Sequence, residues 1–185
     1  MTELTETDEY FLEDAQATME AGGALALSLE EAGRLEAQVV TLEGPLGCGK
    51  TTFVQGFGAA LGADPEGIVS PTFTLAAIHE GRTLFSHMDL YRLGEKEDPA
   101  AEFVGAGLEE LLDGLSLVEW PGRLADSFWP EDRVRVFLRE HPPKPGKTPP
   151  QAGPGRAVSF SGSLPPALSG RLRAFPRLGK RPPDS

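Results

Sequence analysis

With 185 residues, 39% hydrophobic and 24% charged, the chain is long enough for one domain with its own core and ordinary for a soluble globular protein. One cysteine excludes an internal disulfide framework, and three scattered histidines leave no zinc site. No run is long enough to span a membrane, and Met1-Thr2-Glu3-Leu4-Thr5-Glu6 is acidic, unlike a signal peptide, so a cytoplasmic location is expected.

The net charge of −11 is unevenly spread. From His141 onward eight basic residues face one acid, Asp184, a balance of +7 that leaves −18 on the first 140 residues. Such an acidic body repels nucleic acid, so no direct tRNA contact is expected from it, and the basic end reads as a solvated tail.

In chain order, residues 1–10 read as frayed. Leu12 to about Glu36 reads as a helix weakened by Gly22 and Gly23. Gln38-Val39-Val40-Thr41-Leu42 is a buried strand. The octapeptide that follows, Gly44-Pro45-Leu46-Gly47-Cys48-Gly49-Lys50-Thr51, matches G-x-x-x-x-G-K-[ST]. Its glycines permit backbone angles that turn successive N–H groups inward around an anion, and the helix expected over 50–61 adds the positive end of its dipole. Lys50 would reach the β- and γ-phosphates of a nucleoside triphosphate, and the Thr51 hydroxyl would complete the shell of a Mg²⁺ ion. Cys48, at a helix N-terminus, has a setting that favours its thiolate, although a packed spacer is the simpler role.

Beyond the loop at 63–67, Ser70–Ile78 and Thr83–Met88 read as strands joined by His79-Glu80-Gly81-Arg82, hence an antiparallel hairpin. Two short helical pieces follow within Glu95–Leu112, then a strand over 115–120 and a helix start at Pro121. Arg133–Leu138 and Arg156–Phe160 are candidate partner strands on either side of a proline-rich segment. Hydrolysis needs carboxylates that hold Mg²⁺ and orient a water, and two candidates sit at strand ends: Glu119 as a metal-facing acid and Asp89 as a general base or holder of the metal's water, each otherwise an acid that caps the following turn. Ser70-Pro71-Thr72 reads either as a switch that senses the γ-phosphate or as a plain turn. Trp120 is either a core aromatic or a surface for nucleotide or partner. The absence of an Asn-Lys-x-Asp motif tilts the base toward adenine. The fold expected is α/β, a P-loop NTPase-like three-layer sandwich whose mixed, mainly parallel sheet contains an antiparallel hairpin. Its layout is a flexible 1–12, a domain over 13–162 with a proline-rich loop at 140–155, and a disordered basic tail over 163–185.

The chain resembles the TsaE family of bacterial P-loop ATPases. The resemblance rests on Leu42-Glu43 with the phosphate loop through Phe53, then Val69-Ser70-Pro71-Thr72-Phe73-Thr74-Leu75, then His87-Met88-Asp89-Leu90-Tyr91-Arg92-Leu93, then Val118-Glu119-Trp120-Pro121. The last three blocks in that order are far more specific than the first. The resemblance implies ATP bound by Gly44 to Thr52 and a catalytic Lys50. It implies Mg²⁺ on Thr51 and Glu119, hydrolysis supported by Asp89, Thr72 in a switch-like loop and Trp120 near the nucleotide. It further implies action on the TsaD–TsaB complex in threonylcarbamoyladenosine modification of tRNA. A small-molecule kinase and a nucleotide-gated binding module are the alternatives. Two departures stand out: Gly122 replaces a common family glutamate, and Cys48 replaces a small alanine.

Overall fold

Short β-branched runs with apolar residues on both faces build the middle of an eight-stranded mixed sheet. The computed structural model describes residues 8–142 and 155–180. Its strands are β1 (Asp8–Leu12), β2 (Gln38–Glu43), β3 (Ala76–Glu80), β4 (Leu84–Asp89), β5 (Leu115–Glu119), β6 (Val134–His141), β7 (Gly155–Gly162) and β8 (Arg177–Lys180), in the order β3-β4-β5-β2-β6-β7-β1-β8. β4, β5, β2 and β6 run parallel. The remaining pairings are antiparallel, so five of the eight strands point one way. The β3–β4 hairpin is present, but β3 begins at Ala76, and the expected strand residues 70–75 form a loop instead.

Alternation sends Val40, Leu42, Phe85 and Leu117 to a face packed with Phe53, Phe57, Leu25 and Leu29 from the helices α1 (Ala15–Glu31) and α2 (Lys50–Ala60). Val39, Met88 and Val118 belong to a second cluster with Phe103 of α3 (Pro99–Gly105), with Leu90, and with Leu93 and Leu108 of short 3₁₀ turns. Asp14 caps α1 by accepting from the Ala17 N–H at 2.8 Å. Gly22 does not weaken this helix in context. A Cβ there would lie 2.1 Å from the Phe53 carbonyl oxygen, and one on Gly56 would lie 1.9 Å from that of Met19. The two helices cross closely enough that only glycine fits.

Both chain ends depart from expectation. Residues 8–12, expected to be flexible, form β1 between β7 and β8, with buried Glu9 receiving a hydrogen bond from Arg139 Nε at 2.7 Å. Glu9 in turn holds the Arg139 guanidinium pKa above its ordinary value. The expected disordered tail is ordered through Lys180: Leu168 of α4 (Leu168–Arg171) and Leu172 are buried in the main core, and β8 closes the sheet. Arg171 pairs with Glu31 at 3.0 Å and Arg177 pairs with Asp8, so basic groups of the tail offset acids of the body. Strands β6 and β7 reach to His141 and from Gly155, narrowing the expected 140–155 loop. Residues 143–154 of that loop, residues 1–7 and residues 181–185 lie outside the described residues. No described helix is long and apolar enough to cross a membrane.

Gly56→Ala is expected to lower the unfolding free energy by about 1–3 kcal/mol through overpacking, and Leu172→Ala by about 2–5 kcal/mol through the cavity it leaves. Urea denaturation measures both. An unchanged midpoint for Leu172→Ala would remove the C-terminal segment from the core.

Candidate nucleotide site

The parallel strands deliver the site residues to one edge of the sheet. β2 ends at Glu43, the loop 44–49 turns back, and α2 begins at Lys50. Gly44 (φ +141°), Gly47 (+79°) and Gly49 (+101°) all occupy angles that L residues rarely adopt. Gly44 is doubly required, since a Cβ would lie 2.0 Å from the Leu138 carbonyl oxygen. Lys50 is buried; its Nζ donates to the Gly44 and Pro45 carbonyl oxygens, each at 2.9 Å, and lies 4.0 Å from the Trp120 ring centroid.

Register brings the acids to the same edge. Leu42 of β2 pairs with Glu119 of β5, which pairs with Asp89 of β4. Glu119 Oε1 accepts from Thr51 Oγ1 at 2.8 Å and from His87 Nε2 at 2.9 Å. Asp89 Oδ2 accepts from Thr72 Oγ1 at 2.7 Å and from Ser70 Oγ, while Oδ1 accepts from the Tyr91 N–H at 2.9 Å. The loop carrying Ser70 and Thr72 is thereby tied to Asp89 at both hydroxyls. It ends at Leu75, whose φ of +65°, like the +60° of Trp120, is a strained value for a non-glycine residue. Trp120 and Tyr91 meet edge to face at 5.1 Å, with the Arg123 guanidinium 5.4 and 5.5 Å from the Tyr91 and Trp120 rings.

These side chains enclose a cavity of about 400 Å³, a size typical of small-molecule sites. Leu46, Gly47, Gly49, Lys50, Thr51 and Thr52 line it from the loop and α2; Ser70, Thr72, Asp89, Tyr91, Glu119 and Trp120 line it from the facing segments. Gly44, Pro45 and Cys48 do not line it: the first two supply carbonyls to Lys50, and Cys48 is buried beneath the loop. Another cavity, about 360 Å³, is lined by Phe160, Leu164, Leu168 and Leu172 among others and holds none of the motif residues. Among the described residues no group of three or more His, Cys, Asp or Glu stands ready for a metal. The Thr51 hydroxyl and the Glu119 carboxylate nonetheless present hard oxygens side by side on the cavity, joined by the 2.8 Å hydrogen bond to Oε1 that leaves Oε2 free of it. That donor set fits Mg²⁺, which commonly takes one or two protein oxygens and completes its octahedron with phosphates and water.

The sequence reading missed three participants. His87 reaches Glu119, Tyr91 lines the cavity, and Arg156 of β7 donates to the Gly47 carbonyl at 3.2 Å. His87 and Tyr91 left a signal, both lying in the block His87–Leu93 around Asp89, whereas Arg156 left none. The favoured thiolate of Cys48 is corrected: burial pushes its pKa up, outweighing the downward pull of Lys50.

The sequence profile described as "Threonylcarbamoyl adenosine biosynthesis protein TsaE" matches residues 12–147. The chain belongs to the TsaE family. The tRNA threonylcarbamoyladenosine biosynthesis protein TsaE of Treponema pallidum is 41% identical over 127 residues, covering 68% of this chain and 86% of that protein. The protein of the same description from Nostoc is 37% identical over 138 residues, covering 73% and 80%. The crystal structure of Bacillus subtilis YdiB superposes with a TM-score of 0.60 at 24% identity, covering 90% of this chain and 93% of that one, a likeness of fold. The TsaE family is involved in tRNA threonylcarbamoyladenosine biosynthesis.

With its pKa raised, the Cys48 thiol is expected to react with a disulfide reagent at pH 8 far more slowly in the folded protein than in urea. Equal rates in the two states would show the thiol to be exposed.

Proposed function

We propose that the chain is a Mg²⁺-dependent ATPase that drives the TsaD–TsaB complex through its cycle in tRNA threonylcarbamoyladenosine modification. The observation that carries this reading is the convergence of Lys50, Thr51, Asp89 and Glu119, from three separated segments, on one cavity behind a glycine-rich loop. A glycine turn serving only as a connector accounts for none of that convergence. Apolar clusters on both faces of the mixed sheet and a phosphate-type loop after a central parallel strand support reading the fold as a P-loop NTPase-like three-layer sandwich.

In this reading the N–H groups of the loop and of the first turn of α2 receive the phosphates. Lys50, held among loop carbonyls, exchanges those acceptors for phosphate oxygens at little reorganisation. Thr51 and Glu119 hold Mg²⁺, which neutralises charge developing on the phosphates when bound. Asp89 orients the attacking water, and its bonds to Ser70 and Thr72 couple that task to the loop, as a switch requires. Trp120 and Tyr91 offer the apolar surface a base needs, and adenine is the base assigned. The chain works in the cytoplasm and acts on its protein partners rather than on tRNA, consistent with −18 on its first 140 residues.

Phosphate release and nucleotide titration test the roles separately. Lys50→Ala is expected to weaken ATP binding and abolish hydrolysis, and Glu119→Ala to weaken binding only when Mg²⁺ is present. Asp89→Ala should keep binding while losing about 10²-fold or more in turnover, the scale of a lost general base. Addition of TsaD–TsaB should raise wild-type turnover. Unchanged hydrolysis in Lys50→Ala would sink the assignment.

A further inference from the structure

A carboxylate serves a metal ion well only when its rotation is fixed, because a freely turning group must lose that freedom on binding. We propose that His87 is the positioning residue for Glu119: its buried imidazole locks the carboxylate by one oxygen and leaves the other to face the cavity. The inference rests on the nucleotide-site reading and adds to it a residue that does not itself line the cavity.

Three observations carry it. First, His87 Nε2 lies 2.9 Å from Glu119 Oε1. An ionised carboxylate only accepts, so Nε2 carries the proton and donates. Second, the Thr51 hydroxyl donates to the same oxygen at 2.8 Å, so both holds fall on Oε1 and Oε2 is the oxygen left for a ligand. The two donors come from different elements, α2 and β4. Thr51 belongs to the loop-bearing side that must receive the nucleotide, whereas His87 belongs to the sheet and can hold Glu119 whatever the loop does. Third, the imidazole is fully buried while its Nδ1 has no hydrogen-bond partner among the described residues. Burying an unpaired nitrogen costs free energy, which the Nε2–H bond to Glu119 offsets. The same strand face accepts a plain phenyl two residues earlier, at Phe85, which is equally buried. The His79 ring, 5.1 Å from Phe85 and 6.0 Å from His87, completes an aromatic row suited to a hydrocarbon ring. What an imidazole offers here that phenyl lacks is the Nε2–H aimed at Glu119.

Register explains the reach. His87 pairs with Leu117 and Asp89 with Glu119, so the ring spans one pleat along the parallel strands to meet the carboxylate. Asp89 and His87 thus leave β4 on the same face with different tasks, one bound to the Ser70–Thr72 loop and the other to the metal-facing acid.

The test is the gain in ATP affinity that Mg²⁺ confers, measured by calorimetric titration of the full chain in Mg²⁺ and in EDTA, with melting curves alongside. His87→Phe keeps the ring and removes the donor. It is expected to cut the Mg²⁺-dependent gain by about tenfold, the lower end of what lost support of a metal ligand costs, with affinity in EDTA unchanged. His87→Gln places an amide N–H near the Nε2 position and should restore the gain, whereas the shorter His87→Asn should not. The Gln and Asn pair keeps the test decisive if the Phe variant fails to fold. The proposal is overturned if Phe and Asn keep the wild-type gain, if affinity falls equally in EDTA, or if Gln behaves as Asn does. A wild-type chain without any Mg²⁺-dependent gain would overturn both this inference and the nucleotide-site reading. A normal wild-type gain shared by the variants would overturn this inference alone.

Discussion

The parallel pairing of β2, β5 and β4 sets Leu42, Glu119 and Asp89 in one row at the edge of the sheet, and the candidate site is arranged around that row. Parallel strands end together, so the loop after β2, the acid closing β5 and the acid closing β4 meet without any long excursion of the chain. Slipping β5 by one residue would turn Glu119 toward the opposite face. The apolar alternation of Leu115, Leu117 and Val118, buried in separate clusters, opposes that slip. Burial of the strand and placement of the carboxylate are therefore one constraint.

The loop depends on a second constraint, the close crossing of α1 over α2. Gly22 and Gly56 let the two backbones approach to distances that a Cβ would forbid, which seats α2 firmly against the core. Its first turn is the part the phosphate loop leads into, so the seating of α2 also fixes where Lys50 and Thr51 stand. Glycine is usually costly within a helix, by about 1 kcal/mol relative to alanine; here that cost is offset by contact between helices. Strain sits where function is proposed: Leu75 and Trp120 both adopt left-handed angles beside the cavity, and surrounding hydrogen bonds such as Asp89 N–H to the Leu75 carbonyl at 3.0 Å hold the first in place.

Charge is organised at longer range. The acidic body and basic end meet in the fold: Arg171 reaches Glu31, Arg177 reaches Asp8, and Arg156 touches the phosphate loop at the Gly47 carbonyl. Partly exposed pairs of this kind contribute little stability each. Their larger consequence is to bring the strand β8 and the helix α4 onto a body that would otherwise carry its negative charge unrelieved, while Leu168 and Leu172 supply the apolar burial.

The phosphate loop, the β2 strand before it and the acids at the ends of β4 and β5 were legible from the sequence, because each is a local matter of residue type and spacing. Glycine at positive φ, β-branched alternation and a carboxylate after an apolar run leave their mark within a few residues. The two ends of the chain were not legible. Asp8–Leu12 and Arg177–Lys180 are short, charged and unremarkable alone, and become strands only through pairing with each other and with β7, contacts separated by most of the chain. The same holds for His87, whose partner Glu119 lies 32 positions away, and for Gly22, whose meaning depends on Phe53. Sequence by itself determined the family and the chemical inventory of the site. Tertiary structure decided which of those groups touch, since strand register and helix crossing are settled by long-range burial that no local pattern encodes.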